Sequence, residues 1–309
     1  MEILRLGAVG AGSVFAAYDE AAAALPDVEL VAVADPDRGK LGNAARPGRQ
    51  LLASAAELLE IPLDAVLILT PNSSHGPLVR ACIANRLDVL CEKPLATTAA
   101  EARALERLST AAGTFLYPAM HCRHRPEIRY LRDKLRGNIV FFSQVYRENW
   151  ISAPDWYFDR AQSGGGVLLD VGSNQIDWIL PLVRSLTVEA VHLDFAGAAV
   201  EFDCHIEWTC ATGRGRTELS WRAEAERKAT RVVTDRGDVF ELDHDRHLVV
   251  HNGKNHGPWR NTEWAEVLED FRRRRRDRTP AAEPAASELL ALLRDVYAKA
   301  GHPFLRSSA

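Results

Sequence analysis

Apolar runs recur along the first 120 residues, and amphipathic segments of helical composition separate them. The runs include ILRLGAV at 3–9, VELVAVAD at 28–35 and DAVLILT at 64–70. Because these runs are apolar at nearly every position, both faces of each strand must be covered, as they are in a parallel sheet. Alternation of such strands with helices predicts an α/β domain with a doubly wound parallel sheet. We place this domain at residues 1–120.

The pattern changes after residue 120. Between Thr187 and Val250 several strand-like runs are separated by turns such as TGRG and DRGD, and two helical patterns close the chain. Consecutive strands joined by short turns predict a mostly antiparallel sheet, so the second domain is of the α+β class. We place it at 121–309 and expect it to bind substrate and to carry the contacts between subunits.

Composition narrows the classes of function. The chain has 309 residues, 47% of them hydrophobic and 26% charged, and its net charge is -4. These values are typical of a soluble globular protein and give no reason to expect nucleic acid or an anionic membrane as a partner. There is no secretory signal, and no apolar run approaches the ~20 residues that span a bilayer. The five cysteines are scattered without a CxxC pair, so we expect a cytoplasmic protein with neither disulfides nor a metal site.

A glycine-rich segment, GAVGAGSVF, joins the first apolar run to the first helical pattern. Gly10 permits a tight turn, and Gly12 lets a pyrophosphate approach the backbone at the start of the helix, in the loop that contains Ser13 and Val14. Phe15 replaces the third glycine of the dinucleotide-binding fingerprint, so we expect Ala16 and Ala17 to provide close packing between helix and strand. The segment predicts a Rossmann nucleotide-binding loop. The alternative is a glycine-rich turn without a ligand.

An acidic residue ends the second apolar run. Asp35 stands 23 residues after Gly12. A carboxylate at that place accepts hydrogen bonds from the adenosine ribose and repels a 2′-phosphate, which favours NAD over NADP. The nearby Arg38 weakens that preference, so NADP stays open as the cofactor. The alternative for Asp35 is a helix cap.

Two further loops follow strands of the first domain, at the sheet edge where open α/β sheets bind ligands. They are TPNSSH at 70–75 and CEKPLATT at 91–98. A partly buried lysine beside a cationic nicotinamide ring has a lowered proton affinity and serves as an acid–base group. The alternative is a solvated surface lysine. From these loops we assign to the cofactor site Thr70, Pro71, Asn72, His75, Glu92 and Lys93.

In the second half, a glycine triplet leads into LLDVGSNQID, and the segment predicts a helix over 164–182. Asp170, Asn174 and Asp177 stand at positions i, i+4 and i+7 and would share one face of an α-helix. Three polar groups on one face of an otherwise apolar helix either cap internal backbone or face a ligand.

Together these motifs resemble the Gfo/Idh/MocA oxidoreductase family, and the resemblance covers nearly the whole chain. It is carried by GAVGAG, ADPD, TPNSSH, VLCEKPLATT, RHRP and WYFDRAQSGGGVLLDVGSNQID. The resemblance implies hydride transfer between NAD or NADP and a hydroxyl of a sugar or cyclic polyol. It also implies that the polar face of the helix points at cofactor and substrate.

The resemblance further implies roles for three residues. Lys93 and Asp170 match family residues that lie at the nicotinamide, and Asn174 stands where the family usually has the histidine that handles the hydroxyl proton. Asparagine cannot take up a proton at neutral pH. The acid–base role therefore falls to Lys93, helped by Asp170, while Asn174 orients or polarises the reacting oxygen.

One branch of the family, the L-arabinose and D-galactose 1-dehydrogenases, is similar in carrying such an asparagine. It also has a histidine at the position of His121 and oxidises the anomeric C1 hydroxyl of an aldose. This similarity places His121 at the substrate. For Arg123 and Arg125 two roles stay open: contacts with substrate hydroxyls, or surface ion pairs.

Trp150 and Trp156 precede the glycine triplet together with Tyr157. Aromatic rings stack on the apolar faces of sugars, so Trp150 and Trp156 are candidate walls of the substrate pocket. Ordinary hydrophobic packing is the alternative for each ring. We interpret the arginine run 272–276 as a solvated helix end and DHDRH at 243–247 as a surface turn.

The sequence therefore predicts an NAD(P)-dependent sugar or polyol dehydrogenase. The antiparallel sheet has one face for helices, so its other face predicts a homodimer or homotetramer. Two other functions stay open: a keto-sugar reductase in a biosynthetic pathway, and a non-catalytic sensor of a sugar or dinucleotide.

Overall fold

The computed structural model describes residues 3–183, 185–279 and 284–302. The chain divides into two compact units. The first comprises Met1–Met120 and Trp264–Ser287, and the second comprises His121–Glu263 and Glu288–Ala309. The main segment of the first unit thus ends at residue 120. The unit also includes a later segment, which the sequence pattern predicts to be part of the second domain.

The first unit contains a parallel sheet of six strands in the order β3-β2-β1-β4-β5-β6, which confirms the predicted α/β class. Every residue of β4 and β5 is buried, because helices cover both faces of the sheet. The strands are β1 (Leu4–Val9), β2 (Val28–Ala34), β3 (Gln50–Leu52), β4 (Ala65–Ile68), β5 (Asp88–Glu92) and β6 (Leu116–Ala119). The helices are α1 (Phe15–Ala23), α2 (Arg38–Asn43), α3 (Ala55–Leu59), α4 (His75–Ala84) and α5 (Ala99–Ala112).

The second unit contains an eight-stranded sheet in the order β14-β13-β12-β11-β7-β10-β9-β8. It is antiparallel except for the parallel pair β7 and β10, which confirms the predicted α+β class. The strands are β7 (Ile139–Asn149), β8 (Thr187–Asp194), β9 (Asp203–Thr209), β10 (Arg214–Ser220), β11 (Arg222–Thr234), β12 (Val239–Asp243), β13 (Leu248–His251) and β14 (Lys254–His256). The helices are α6 (Pro126–Lys134), α7 (Arg160–Ser163) and α8 (Ser173–Val183), and the chain closes with α9 (Glu263–Asp277) and α10 (Ala286–Lys299).

Helix α9 completes the core of the first unit. Its Phe271 is fully buried, and the ring lies 5.8 Å from both Phe115 and Tyr117. The interpretation of its arginines as a solvated helix end holds only in part: Arg273 and Arg276 are exposed, whereas Arg272 and Arg275 are half-buried and pair with acids of the first unit. Arg275 Nε lies 2.7 Å from the Asp88 carboxylate, and Arg272 pairs with Asp27.

The segment 243–247 is not simply a surface turn. His244 is buried, and its Nδ1 lies 2.9 Å from one carboxylate oxygen of Glu127. His247 Nδ1 lies 2.9 Å from the other oxygen of the same carboxylate, which is itself fully buried. The two histidines therefore fasten the turn to α6, because a buried carboxylate needs hydrogen-bond donors on both of its oxygens.

Candidate active site

The loops assigned to the cofactor lie at one edge of the parallel sheet. Strands β1, β4 and β5 are neighbours in the sheet, and Gly10, Thr70 and Lys93 follow their carboxyl ends. The strand order reverses between β1 and β4, and this switch point is where open α/β sheets form a ligand crevice. The topology therefore brings the three motifs to a common edge.

The glycine loop has the form that a pyrophosphate requires. Gly10 has a φ of 99°, and a Cβ atom there would lie 2.6 Å from the Leu69 carbonyl oxygen. A Cβ atom on Gly12 would meet no atom within 4 Å, so the loop is open on this side. Helix α1 begins without a side-chain hydrogen bond at its N-cap, Val14. The cap side chain therefore does not compete with an anion at this end of the helix, although the N–H groups of Phe15 and Ala17 already donate to backbone carbonyls.

Phe15 does not obstruct this loop. Its side chain is buried in the hydrophobic core of the first unit, where Tyr18, Ala21 and Ala22 also lie on the inner face of α1. Of the two alanines expected to provide the close packing, Ala16 is exposed and does not, whereas Ala17 is half-buried. A large residue is accommodated here because it faces the core rather than the ligand side of the turn.

Asp35 holds the glycine loop in place. Its carboxylate is buried, and one oxygen accepts a hydrogen bond of 2.8 Å from the backbone N–H of Ala11. The other oxygen accepts from the backbone N–H of Asp37, also at 2.8 Å. Each carboxylate oxygen has a second acceptor position, so Asp35 retains the capacity to bind ribose hydroxyls. Arg38 is exposed at the start of α2.

His75 has a role different from the expected contact with the cofactor. Its side chain is fully buried, and its ring nitrogens lie 2.8 Å from the carbonyl oxygens of Thr70 and Pro94. Burial lowers the pKa of His75 and outweighs the two carbonyls, which raise it. The ring therefore lies between the loop after β4 and the loop after β5, and in its neutral form it donates to only one of the two carbonyl oxygens. Within the loop after β4, Pro71 is half-buried and Asn72 is buried.

Glu92 is likewise committed to internal bonds. One carboxylate oxygen accepts a 2.7 Å hydrogen bond from the Tyr18 hydroxyl of α1, and the other accepts from the backbone N–H of Lys93 at 3.2 Å. Burial and the Glu92 carboxylate raise the pKa of Tyr18 well above its usual value, so the hydroxyl remains a donor. Lys93 itself is half-buried between Glu92 and a buried Pro94. The motif thus ties α1 to the end of β5.

The predicted helix over 164–182 is interrupted. Helix α7 ends at Gly164, which has a φ of 80°, and a wider π-helical turn over Leu168–Gly172 precedes α8. Asp170 lies in this turn and is half-buried. Asp170 therefore lies in a different winding from Asn174 and Asp177, which lie in α8. Turns of this kind are frequent at functional sites.

Two of the three polar residues on this helix hold an internal segment, the short 3₁₀ helix His121–His124. The amide oxygen of Asn174 accepts a 3.3 Å hydrogen bond from the backbone N–H of Cys122. Asp177 is buried and forms a two-pronged ion pair with Arg123, whose Nε lies 2.8 Å away. The polar face therefore caps backbone and pairs charge inside the second unit.

The bond to Cys122 also fixes which end of the Asn174 amide points elsewhere. Since the oxygen accepts from Cys122, the Nδ2 group is turned away from it, and Nδ2 has no hydrogen-bond partner among the described residues. Asn174 therefore presents a donor to whatever lies beyond it, and that donor suits a hydroxyl or carbonyl oxygen.

His121 belongs to a buried ion cluster. Its Nδ1 lies 3.0 Å from Glu263 Oε2, and Arg125 Nε lies 2.6 Å from the same oxygen. Burial lowers the pKa of His121, but Cys122 and Glu263 outweigh it and raise the pKa to about 10. Burial raises the pKa of Glu263, but His121 and Arg125 lower it well below its usual range. His121 is thus a cation at neutral pH and is unable to act as a base.

The same cluster contains a set of donors that a metal ion could use. His121 Nδ1, Cys122 Sγ and a Glu263 carboxylate oxygen lie within 4.8 Å of one another. The Glu263 carboxylate, however, is already paired with His121 and Arg125, and Arg125 keeps its proton at any accessible pH. A permanent guanidinium on the ligating oxygen opposes a second cation there. Ion pairing accounts for the cluster without a metal.

The aromatic residues of the 150–157 loop form one contiguous group. Trp156 stacks on Tyr157 with ring centroids 3.9 Å apart, and Trp150 meets the same tyrosine edge-on at 5.9 Å. Tyr157 in turn contacts the fully buried Trp221. Trp150 is exposed and Trp156 half-buried, so both rings are accessible at the surface of the second unit. The group therefore has a packed base and an open side.

Several residues that organise these loops carry no motif. Glu263, Gln175 and Tyr18 were missed because each acts through a partner far along the chain, as when Gln175 Nε2 donates to Cys122 Sγ at 3.3 Å. Glu201 was missed as well, although the glycine triplet signals a close approach of other backbone at that point.

Comparison with known proteins places the chain in a family. The family model "Oxidoreductase family, NAD-binding Rossmann fold" matches residues 4–119, and the model "GFO/IDH/MocA C-terminal domain" matches residues 129–240. The rhizopine catabolism protein MocA of Rhizobium meliloti is 36% identical over 228 residues, which cover 71% of this chain and 71% of MocA. The chain belongs to the Gfo/Idh/MocA oxidoreductase family. NAD is therefore the cofactor that the first unit binds.

Other known proteins match more locally or only in fold. Inositol 2-dehydrogenase of Rubrobacter xylanophilus is 38% identical over 105 residues, which cover 33% of this chain and 30% of that relative. A solved levoglucosan dehydrogenase in complex with NADH and L-sorbose has a TM-score of 0.85 at 18% identity, over 97% of each chain. Such a match shows a shared fold.

Within the described ranges, no helix combines the length and apolar character needed to cross a membrane.

We expect His121 to remain charged across neutral pH. Its raised pKa means that the ion pair with Glu263 stabilises the fold fully below about pH 6.5 and is lost as the pH rises through about 10. NMR titration of the imidazole checks this, and Glu263→Gln should move the titration to lower pH. Glu189→Gln, which removes an exposed carboxylate, is the control. Titration of His121 near pH 6.5 in the unaltered protein would contradict the ion-pair assignment.

Replacement of Asp35 tests the ribose assignment. Asp35→Ser removes the charge that repels a 2′-phosphate, so the ratio of NADP to NAD affinity should rise by about tenfold or more. Affinities for both cofactors, measured by calorimetric titration, check this, with Asp37→Ser as the control at an exposed neighbouring acid. An equal loss of affinity for both cofactors would mean that Asp35 acts only by holding Ala11.

Proposed function

We propose that this protein is an NAD-dependent dehydrogenase of a sugar or cyclic polyol, with Lys93 as the acid–base residue. The observation that carries the proposal is the place of Lys93 at the carboxyl end of β5, beside the glycine loop and the loop after β4. The names of its relatives support the substrate class, since they include an inositol and a levoglucosan dehydrogenase. The reacting carbon is a CH–OH group, and the anomeric C1 of an aldose is one candidate.

Oxidation of a CH–OH group releases a hydride and a proton. NAD, when bound, supplies the acceptor for the hydride. The proton leaves the hydroxyl for a base, and we assign this step to Lys93, whose backbone is fixed by Glu92 and Pro94. Because Lys93 is only half-buried, its amine is able to exchange that proton with water afterwards.

Asp170 and Asn174 complete the assignment in the second unit. Asn174 donates from Nδ2 to a substrate oxygen and takes no proton, because its amide oxygen is held by Cys122. We assign to Asp170 the acceptance of a hydrogen bond from a substrate hydroxyl. Trp150 and Trp156 offer ring faces to the apolar side of a sugar.

His121 fits this scheme as a fixed positive charge near the substrate, not as the base that the family histidine usually is. This chain has Asn174 where the family usually has that histidine, and the difference also suits a non-catalytic sensor of a sugar or dinucleotide. A sensor would bind NAD but would not reduce it. In the opposite direction, reduced NAD would supply the hydride to a keto-sugar, and Lys93 would supply the proton.

We also propose that the chain acts in the cytoplasm as a homodimer or homotetramer, with subunits joined through the eight-stranded sheet. That sheet alternates buried and accessible residues along β9, β10 and β12. One of its faces is therefore available for a second subunit.

Replacement of Lys93 tests the proposal directly. Lys93→Met should lower kcat by about two to four orders of magnitude while NAD still binds, because the base is lost and the glycine loop is intact. The assay follows reduced cofactor with a panel of aldoses and inositols, and NAD binding is measured separately by titration. Lys40→Met, at an exposed lysine of the same unit, is the matched control.

Two results would contradict the proposal. Undiminished turnover by the Lys93 variant would remove the lysine from the mechanism. Binding of NAD without turnover of any sugar or inositol by the unaltered protein would favour the sensor.

A further inference from the structure

Glu201 satisfies the backbone at the start of the segment that carries Asp170. Its carbonyl oxygen accepts a 3.0 Å hydrogen bond from the N–H of Val167. One of its carboxylate oxygens accepts from the N–H groups of Gly166 at 3.1 Å and Leu168 at 3.0 Å. A helix leaves its first N–H groups without internal partners, and here one residue accepts from three of them. Glu201 also places a carboxyl group where the helix dipole favours negative charge.

Tyr297 of α10 completes this arrangement. Its hydroxyl donates a 2.6 Å hydrogen bond to the same Glu201 oxygen, and both side chains are fully buried. The other carboxylate oxygen of Glu201 is buried without a hydrogen-bond partner among the described residues. Burial of a carboxyl group in this environment costs free energy, so we infer that Glu201 has a role beyond filling space.

Two of the three glycines of the triplet lie against these two residues, where a larger side chain would not fit. A Cβ atom on Gly166 would lie 2.0 Å from the Glu201 carbonyl oxygen, and one on Gly165 would lie 2.8 Å from the Tyr297 hydroxyl. Gly164 ends α7 in a left-handed conformation. The backbone is thus pressed against Glu201 and Tyr297 immediately before it enters the π-helical turn.

We propose that Glu201 and Tyr297 are positioning residues that set the register of the π-helical turn and so place Asp170 and Asn174 for the reaction. This inference rests on the proposed function of those two residues. The turn Leu168–Gly172 winds differently from the α-helix after it, and the start of a winding is fixed by the bonds made at its first N–H groups. Loss of the Glu201 bonds leaves buried N–H groups unsatisfied and frees the turn to rewind.

The consequence for the reaction is a loss of rate and not of cofactor binding. A misplacement of about 1 Å in a catalytic group is enough to lower a rate about a hundredfold. The loops assigned to NAD lie in the other compact unit, so they keep their form when Glu201 is altered. The proposal therefore predicts a fall in kcat with little change in KM for NAD.

The test compares Tyr297→Phe with Tyr130→Phe. The first removes the hydroxyl that supports Glu201, and the second removes a hydroxyl that lies 3.3 Å from His251 elsewhere in the same unit. Tyr297→Phe should lower kcat by about tenfold with KM for NAD changed less than about twofold. Tyr130→Phe should leave both unchanged. An unchanged kcat in Tyr297→Phe, or an equal fall in the two variants, would overturn the proposal.

A second readout needs no substrate. Hydrogen exchange of the amides between Gly166 and Gly172 should be faster in Tyr297→Phe by about fivefold or more and unchanged in Tyr130→Phe. Glu201→Gln keeps an acceptor oxygen and should show a smaller effect than Glu201→Leu, which has none. If the unaltered protein turns over no sugar or inositol, the proposed function fails, and exchange alone decides the positioning role: faster exchange supports it and unchanged exchange overturns it.

Discussion

The loops of this protein depend on one kind of interaction, a buried side-chain oxygen that accepts hydrogen bonds from backbone N–H groups. Asp35 accepts from Ala11 in the glycine loop, and Asn174 accepts from Cys122. Glu201 accepts from the backbone that leads to Asp170. A buried N–H group without an acceptor costs about 1–3 kcal/mol, so each of these loops has one favourable position. The residues that we propose for the cofactor and substrate sites are therefore held by acceptors that the proposed chemistry itself does not require.

The fold was largely predictable because its strongest signal is local. Strands that are apolar on both faces indicate a parallel sheet wherever they occur, and β4 and β5 are buried throughout. The place of α9 was not predictable in the same way. Arg275 finds Asp88, and Phe271 finds Phe115, across more than 150 residues of chain. A basic helix end has the same composition whether or not distant acids neutralise it.

The candidate site shows the same division. Motif spacing predicted which loops lie at the sheet edge, since the carboxyl ends of parallel strands share that edge. It could not predict which side chains within those loops turn inward. His75 is fully buried between two carbonyl oxygens, and Glu92 binds Tyr18. The π turn at Asp170 was hidden for a similar reason, because the bonds that set it come from Glu201, outside the motif.

The charge states in the second unit also follow from tertiary contacts. Glu263 keeps His121 protonated, so a histidine that suggests a base is a fixed cation. The asparagine at 174 is a donor by virtue of its bond to Cys122. The proton transfer of the proposed reaction is therefore assigned to Lys93 of the first unit.

The central claim is that a hydride passes from a sugar or polyol carbon to NAD. The most direct measurement is to incubate the protein with NAD and a sugar or inositol deuterated at every carbon, and to determine the mass of the reduced cofactor. The account predicts that the reduced nicotinamide carries one deuterium for each turnover. Reduced cofactor without deuterium, or no reduction with any substrate of this class, would contradict it.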